Sequence, residues 1–211
     1  MQTKKLGFVH KFLPKSATGP DWTLLLLHGT GGDENDMVSL GRQVAPGAAL
    51  LSPRGKVLEN GLPRFFRRFS EGIFDEEDLK LQARELADFV REASSVYGLD
   101  GNSVVGVGYS NGANIAAALH LLFPRILKGS VLFRPMVPLV PDPLPDLYGV
   151  RVFIASGLRD PIVPKQESER LATLLREARA DVTLEWERAG HELTKEEVAL
   201  AGHWLLSSFK T

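Results

Sequence analysis

Gly108-Tyr109-Ser110-Asn111-Gly112 stands midway along this chain, after the apolar run Val104-Val105-Gly106-Val107 and before Ala113-Asn114-Ile115-Ala116-Ala117-Ala118-Leu119. That order predicts a strand, a sharp turn and a helix, with a serine at the apex. A turn this tight forces its central residue into a strained conformation. Glycines two before and two after remove the side chains that would collide. The Ser110 hydroxyl is then presented rather than packed, which makes it a candidate nucleophile.

The surrounding chain repeats the alternation. Strand-like runs occur at Leu6–Phe12, Trp22–His28, Ala48–Pro53, Ser103–Tyr109, Gly129–Phe133, Arg151–Ser156 and Val182–Glu187. Several have no polar alternation, as in Leu24-Leu25-Leu26-Leu27, the pattern of strands covered on both faces of a parallel sheet. Glu76–Tyr97 has apolar residues at three- and four-residue steps, so it reads as a long amphipathic helix. Further helices are expected at Asp36–Gln43, Asn111–Leu122, Lys165–Ala178 and Thr194–Phe209, the last opened by a capping box of Thr194 and Glu197. Gly55–Ile73 and Pro135–Pro145 read as loops that shape a pocket. The expected fold is α/β, three-layered, with a mostly parallel central sheet, helices on both faces and a minimal lid. Ligands of such sheets bind at the carboxyl ends of the strands.

Composition bounds the function. At 211 residues the chain fits one domain, 1–211, large enough for a sizeable core. No apolar stretch approaches a membrane span and the N-terminus lacks the apolar centre of a secretion signal, so a cytoplasmic protein without a membrane partner is expected. A net charge of −1 gives no global field to attract nucleic acid. The absence of cysteine excludes disulfides, thiolate metal sites and a cysteine nucleophile.

Serine needs a general base, and histidine suits because it titrates near neutrality. Of five histidines, His10, His120 and His203 fall within regular elements, and His28 ends a strand where it would brace a loop. His191 lies in Ala189-Gly190-His191-Glu192, between the last strand and the last helix, at the carboxyl edge of the sheet. The third group is expected to be Asp160, just past the Arg151–Ser156 strand, ahead of Asp142 and Asp146 in the proline-rich loop. Ser110, Asp160 and His191 then follow the chain order of α/β-hydrolase triads. The oxyanion donors are expected to be the backbone amides of Asn111, at a helix N-terminus, and Thr30, in the glycine-rich loop after Leu24–Leu27. That loop lacks the lysine and spacing of a phosphate-binding P-loop.

With these residues in place, the chain resembles the phospholipase/carboxylesterase family of α/β-hydrolases, which includes acyl-protein thioesterases. The resemblance rests on Leu27-His28-Gly29-Thr30-Gly31-Gly32-Asp33-Glu34-Asn35-Asp36, the pentapeptide with Ala113-Asn114, Gly157-Leu158-Arg159-Asp160-Pro161-Ile162-Val163-Pro164, and Gly190-His191. Pro63-Arg64-Phe65-Phe66-Arg67-Arg68 and Phe133-Arg134-Pro135-Met136-Val137-Pro138 look like its bacterial carboxylesterase branch. Thr30 and Asn111 stand where the thioesterases usually have leucine and glutamine, which points away from lipidated-protein and phospholipid substrates. The resemblance implies the Ser110, Asp160 and His191 triad, the Thr30 and Asn111 oxyanion hole, two-step acyl transfer on a small soluble ester, and no metal or other cofactor. Family members often pair as homodimers, but no residue of this chain demonstrates pairing.

Phe65, Phe66, Arg67, Arg68 and Met136 are candidates for lining the pocket. An arginine facing inward would favour substrates carrying a carboxylate or an electron-rich aromatic ring. Two competing readings stand beside the small-ester carboxylesterase. One is a thioesterase or lysophospholipase for longer acyl chains. The other is a non-catalytic binding module that keeps the hydrolase fold.

Overall fold

The structure, a computed structural model, describes residues 6–209. Seven strands form the main sheet: β1 (His10–Leu13), β2 (Thr23–Leu27), β3 (Ala49–Pro53), β8 (Val104–Tyr109), β9 (Gly129–Phe133), β10 (Arg151–Gly157) and β11 (Asp181–Glu187). Their spatial order is β1-β3-β2-β8-β9-β10-β11. Only the β1–β3 pairing is antiparallel. The sequence reading places all seven, within a few residues at their ends.

Among the described residues five helices cover the sheet: α1 (Val38–Val44), α2 (Glu76–Tyr97), α3 (Asn111–Leu122), α4 (Lys165–Glu177) and α5 (Lys195–Ser208). Leu24 to Leu27 explain the layering, because successive strand side chains point to opposite faces. Leu25 and Leu27 enter one core with residues of α2, α3 and α4, and Leu24 and Leu26 enter the other with residues of α1 and α5. All four leucines are fully buried. An unbroken apolar strand is therefore what a three-layer α/β-hydrolase fold demands at the sheet centre. The long helix α2 begins where the Asp75 carboxylate accepts the Asp78 amide and ends at Gly98 in the left-handed region, φ 66°.

One segment departs from expectation. Gly55–Ile73 is not a loop but two small hairpins, β4 (Val57–Glu59) with β5 (Leu62–Arg64), and β6 (Arg68–Ser70) with β7 (Ile73–Phe74). Asn60 and Gly61 turn the first with φ values of 51° and 82°. Asn-Gly is the dipeptide that such a turn favours, and it is the signal that identifies the hairpin. Pro135–Pro145 contains no helix or strand.

After β2 the chain passes to β3 on one side, then returns through α2 to β8 on the other. The carboxyl ends of β2 and β8 thus feed diverging loops, and the cleft between them is where the site forms.

Candidate active site

Ser110 is held at φ 53° and ψ −116°, a strained conformation between β8 and α3. Its amide donates to the Phe133 carbonyl at 2.9 Å, tying the apex to the end of β9. Both flanking glycines are sterically required. A Cβ on Gly112 would stand on the Leu27 carbonyl, and one on Gly108 would meet the backbone of Gly112.

The hydroxyl points at histidine. His191 Nε2 lies 3.1 Å from Ser110 Oγ, and His191 Nδ1 lies 2.8 Å from Asp160 Oδ2. The second oxygen of Asp160 accepts the amides of Ile162 at 2.8 Å and Val163 at 3.0 Å, which fixes the carboxylate in the turn after β10. Three residues separated widely in sequence thus form one hydrogen-bonded line at the carboxyl ends of β8, β10 and β11.

The loop that carries His191 is fastened at three consecutive carbonyls. Tyr109 donates its hydroxyl to the His191 carbonyl at 3.0 Å. Arg134 donates Nε to Gly190 O at 2.9 Å and Nη2 to Glu192 O at 2.7 Å. Sequence reasoning assigns no role to Arg134 or to the Tyr109 hydroxyl. Neither carries a local signal, because the carbonyls they hold in this loop lie more than 50 residues away in sequence.

Thr30 and Asn111 both line the cleft with Ser110 and His191. Among the described residues, neither backbone amide is donated to another group. His28 braces the Thr30 loop: Nδ1 contacts Gly29 O at 2.7 Å, and Nε2 accepts the Gly55 amide at 2.9 Å. Burial pushes its imidazole below the ordinary histidine value, which keeps Nε2 free to accept.

The pocket candidates divide. Met136 and Arg68 line the cleft, which encloses about 250 Å³. Phe65 and Phe66 do not, being fully buried in the core beneath it. Arg67 turns outward with its side chain 63% exposed, pairing with Asp75 and Asp78. The inward arginine beside Arg68 is Arg64, which was not among the pocket candidates. Arg64 closes β5, and it is buried although Leu62, on the same face of that strand, is exposed. Arg68 is gripped by Glu59 at 2.9 and 3.0 Å and by Glu71. The Glu59 carboxyl is held below its ordinary value by that contact.

A family model described as phospholipase/carboxylesterase matches residues 11–207. The chain belongs to the phospholipase/carboxylesterase family. Putative hydrolase MhqD of Bacillus subtilis (strain 168) is 51% identical over 184 residues, covering 87% of this chain and 92% of that protein. The crystal structure of the Bacillus cereus carboxylesterase is 50% identical with a TM-score of 0.92, covering 96% of this chain and 95% of that one. A carboxylesterase from Mesorhizobium loti is 33% identical with a TM-score of 0.89, covering 95% of each chain. The protein is therefore a carboxylesterase-family hydrolase, and that family implies ester substrates. Among the described residues no cluster of histidine, aspartate and glutamate could hold a metal, and no helix is long and apolar enough to cross a membrane.

Proposed function

We propose that this phospholipase/carboxylesterase family member is a serine carboxylesterase for small soluble esters, with Ser110 as nucleophile, His191 as general base and Asp160 as the group that orients the histidine. The observation that carries this reading is the line Asp160 Oδ2, His191 Nδ1, His191 Nε2, Ser110 Oγ, with spacings of 2.8 and 3.1 Å. In the first step Ser110 Oγ attacks the ester carbonyl while its proton passes to His191 Nε2. The tetrahedral oxyanion is bound by the free amides of Thr30 and Asn111, the latter at the N-terminus of α3. His191 then protonates the departing alcohol, and water activated at the same nitrogen cleaves the acyl-enzyme. Asp160 favours the tautomer with a proton on Nδ1 and stabilises the imidazolium as it forms.

The cleft of about 250 Å³ supports small substrates over long acyl chains. Across p-nitrophenyl esters of increasing acyl length, kcat/KM should peak at short chains and fall towards long ones. Rising activity up to long chains would favour the thioesterase or lysophospholipase reading instead. Ser110→Ala should reduce ester hydrolysis by roughly 10³-fold or more. It should also abolish labelling by a fluorophosphonate probe. Labelling that persists in Ser110→Ala, or wild-type protein that neither labels nor hydrolyses, would overturn the assignment.

A further inference from the structure

Beside Ser110 the cleft is lined by donors whose acceptors are missing. Asn111 accepts the Phe65 amide on Oδ1 at 2.7 Å, and Asn114 accepts the Met136 amide on Oδ1 at 2.8 Å. Each backbone contact consumes the carbonyl oxygen of the side chain and fixes which end of the amide is which. The NH₂ groups are left over. Asn111 Nδ2 is buried without any hydrogen-bond partner, and no described residue accepts from Asn114 Nδ2.

Arg64 adds a cation to this set. Its side chain is 2% exposed and lines the same cleft. Nε donates to Phe66 O at 3.2 Å and Nη1 to Thr30 Oγ1 at 2.6 Å and to Glu59 Oε2 at 3.4 Å, while Nη2 donates to no described residue. The nearest carboxylate, Glu59, stands 3.4 Å from Nη1 but is engaged at both oxygens by Arg68. Burial and the neighbouring Arg68 charge lower the Arg64 pKa, while Glu59 and Glu71 act in the opposite direction. Because Thr30 Oγ1 accepts from Arg64, its own proton is also free for a ligand. Elsewhere in the lining Arg134 pairs with Glu197, and Glu71 with Arg68, so Arg64 Nη2 is the guanidinium nitrogen left to a ligand.

The geometry points to a substrate class: esters that carry a carboxylate within a few bonds of the reacting carbonyl, the carboxylate being held by Arg64 Nη2 with the side-chain donors of Asn111, Asn114 and Thr30. A small cleft with surplus donors, one of them a buried guanidinium, selects an acceptor-rich anion over an apolar group of the same size. A neutral alkyl group there would leave these donors unpaired and away from water. This inference rests on the reading of Ser110 as the nucleophile.

The test compares monoethyl succinate with ethyl 4-methylpentanoate, in which an isopropyl group replaces the carboxylate, followed by acid release. Wild-type kcat/KM should favour the succinate ester about tenfold or more. Arg64→Met should bring the ratio near one, and Arg67→Ala, outside the cleft, should leave it unchanged. A wild-type preference for the neutral ester, or an unchanged ratio in Arg64→Met, would overturn the inference. Calorimetry on Ser110→Ala needs neither hydrolysis nor a folded Arg64 variant. Succinate should bind at least tenfold more tightly than succinamide, and equal binding or none would overturn the proposal. If succinate binds but neither ester is hydrolysed, the carboxylate-binding site stands and the ester substrate class falls with the esterase reading.

Discussion

Arg134 and Glu197 form a fully buried ion pair with two parallel hydrogen bonds, Nη1 to Oε2 at 2.6 Å and Nη2 to Oε1 at 2.8 Å. The pair joins the chain after β9, where Arg134 adopts φ 57°, to the first turn of α5. The same guanidinium holds the carbonyls on either side of His191. Stability and the placement of His191, the proposed general base, are thus coupled through one side chain.

Arg134→Met should cost about 3–5 kcal/mol of stability, because it leaves the Glu197 carboxylate buried and unpaired. Arg134→Met with Glu197→Met removes the orphaned charge and should recover part of that loss in urea denaturation. It should not recover activity, because the Gly190 and Glu192 carbonyls still lack their donor. We expect kcat to remain about tenfold or more below wild type in both variants. Full recovery of kcat in the double variant would show that Arg134 acts on stability alone.

Asp160→Asn is expected to preserve the turn while disabling the base. The side-chain oxygen still accepts the Ile162 and Val163 amides, so the NH₂ end faces His191 Nδ1. Two donors cannot share a hydrogen bond, and the imidazole shifts to the tautomer protonated at Nε2, which cannot accept the Ser110 proton. We expect kcat to fall by about 10³–10⁴-fold with little change in thermal midpoint. A fall smaller than tenfold would remove Asp160 from the proposed triad.

Most of this arrangement is legible in sequence where the cause is local. The four leucines of β2 announce a doubly covered strand, and the glycines at 108 and 112 announce a tight apex. Thr194 and Glu197 form the expected capping box. Yet that local explanation conceals the second role of Glu197, because its partner lies 63 residues earlier. Arg64 and Arg67 show the same limit. A three-residue strand carries too little periodicity to reveal that Arg64 faces inward, and Arg67 lies between β5 and β6 with no periodicity at all, although Asn60-Gly61 marks the first hairpin.

Gly112→Ala and Gly61→Ala separate steric need from backbone preference. The added methyl on Gly112 collides with the Leu27 carbonyl at the end of β2 and the His28 carbonyl just after it, backbone that cannot yield cheaply. On Gly61 it meets open space, and only the positive φ of 82° opposes it. Urea denaturation should show a loss of about 3 kcal/mol or more for Gly112→Ala against about 1 kcal/mol for Gly61→Ala. Similar losses for the two would mean that the β2–α3 contact is looser than the geometry requires.

His120 should govern part of the acid sensitivity of the fold. It lies on α3, fully buried, with Nε2 2.9 Å from Ser130 Oγ and no partner at Nδ1. Burial without a counter-charge lowers its pKa from 6.5 to about 4. As pH falls, the unfolded chain therefore takes up the proton before the folded one does, and folding stability declines between about 6.5 and about 4. The gap corresponds to roughly 3 kcal/mol. His120→Gln retains an amide able to reach Ser130 but does not titrate. The drop in urea midpoint between pH 8 and pH 4 should be smaller in this variant than in wild type, whatever the change at pH 8. An identical drop would assign the acid sensitivity to other groups.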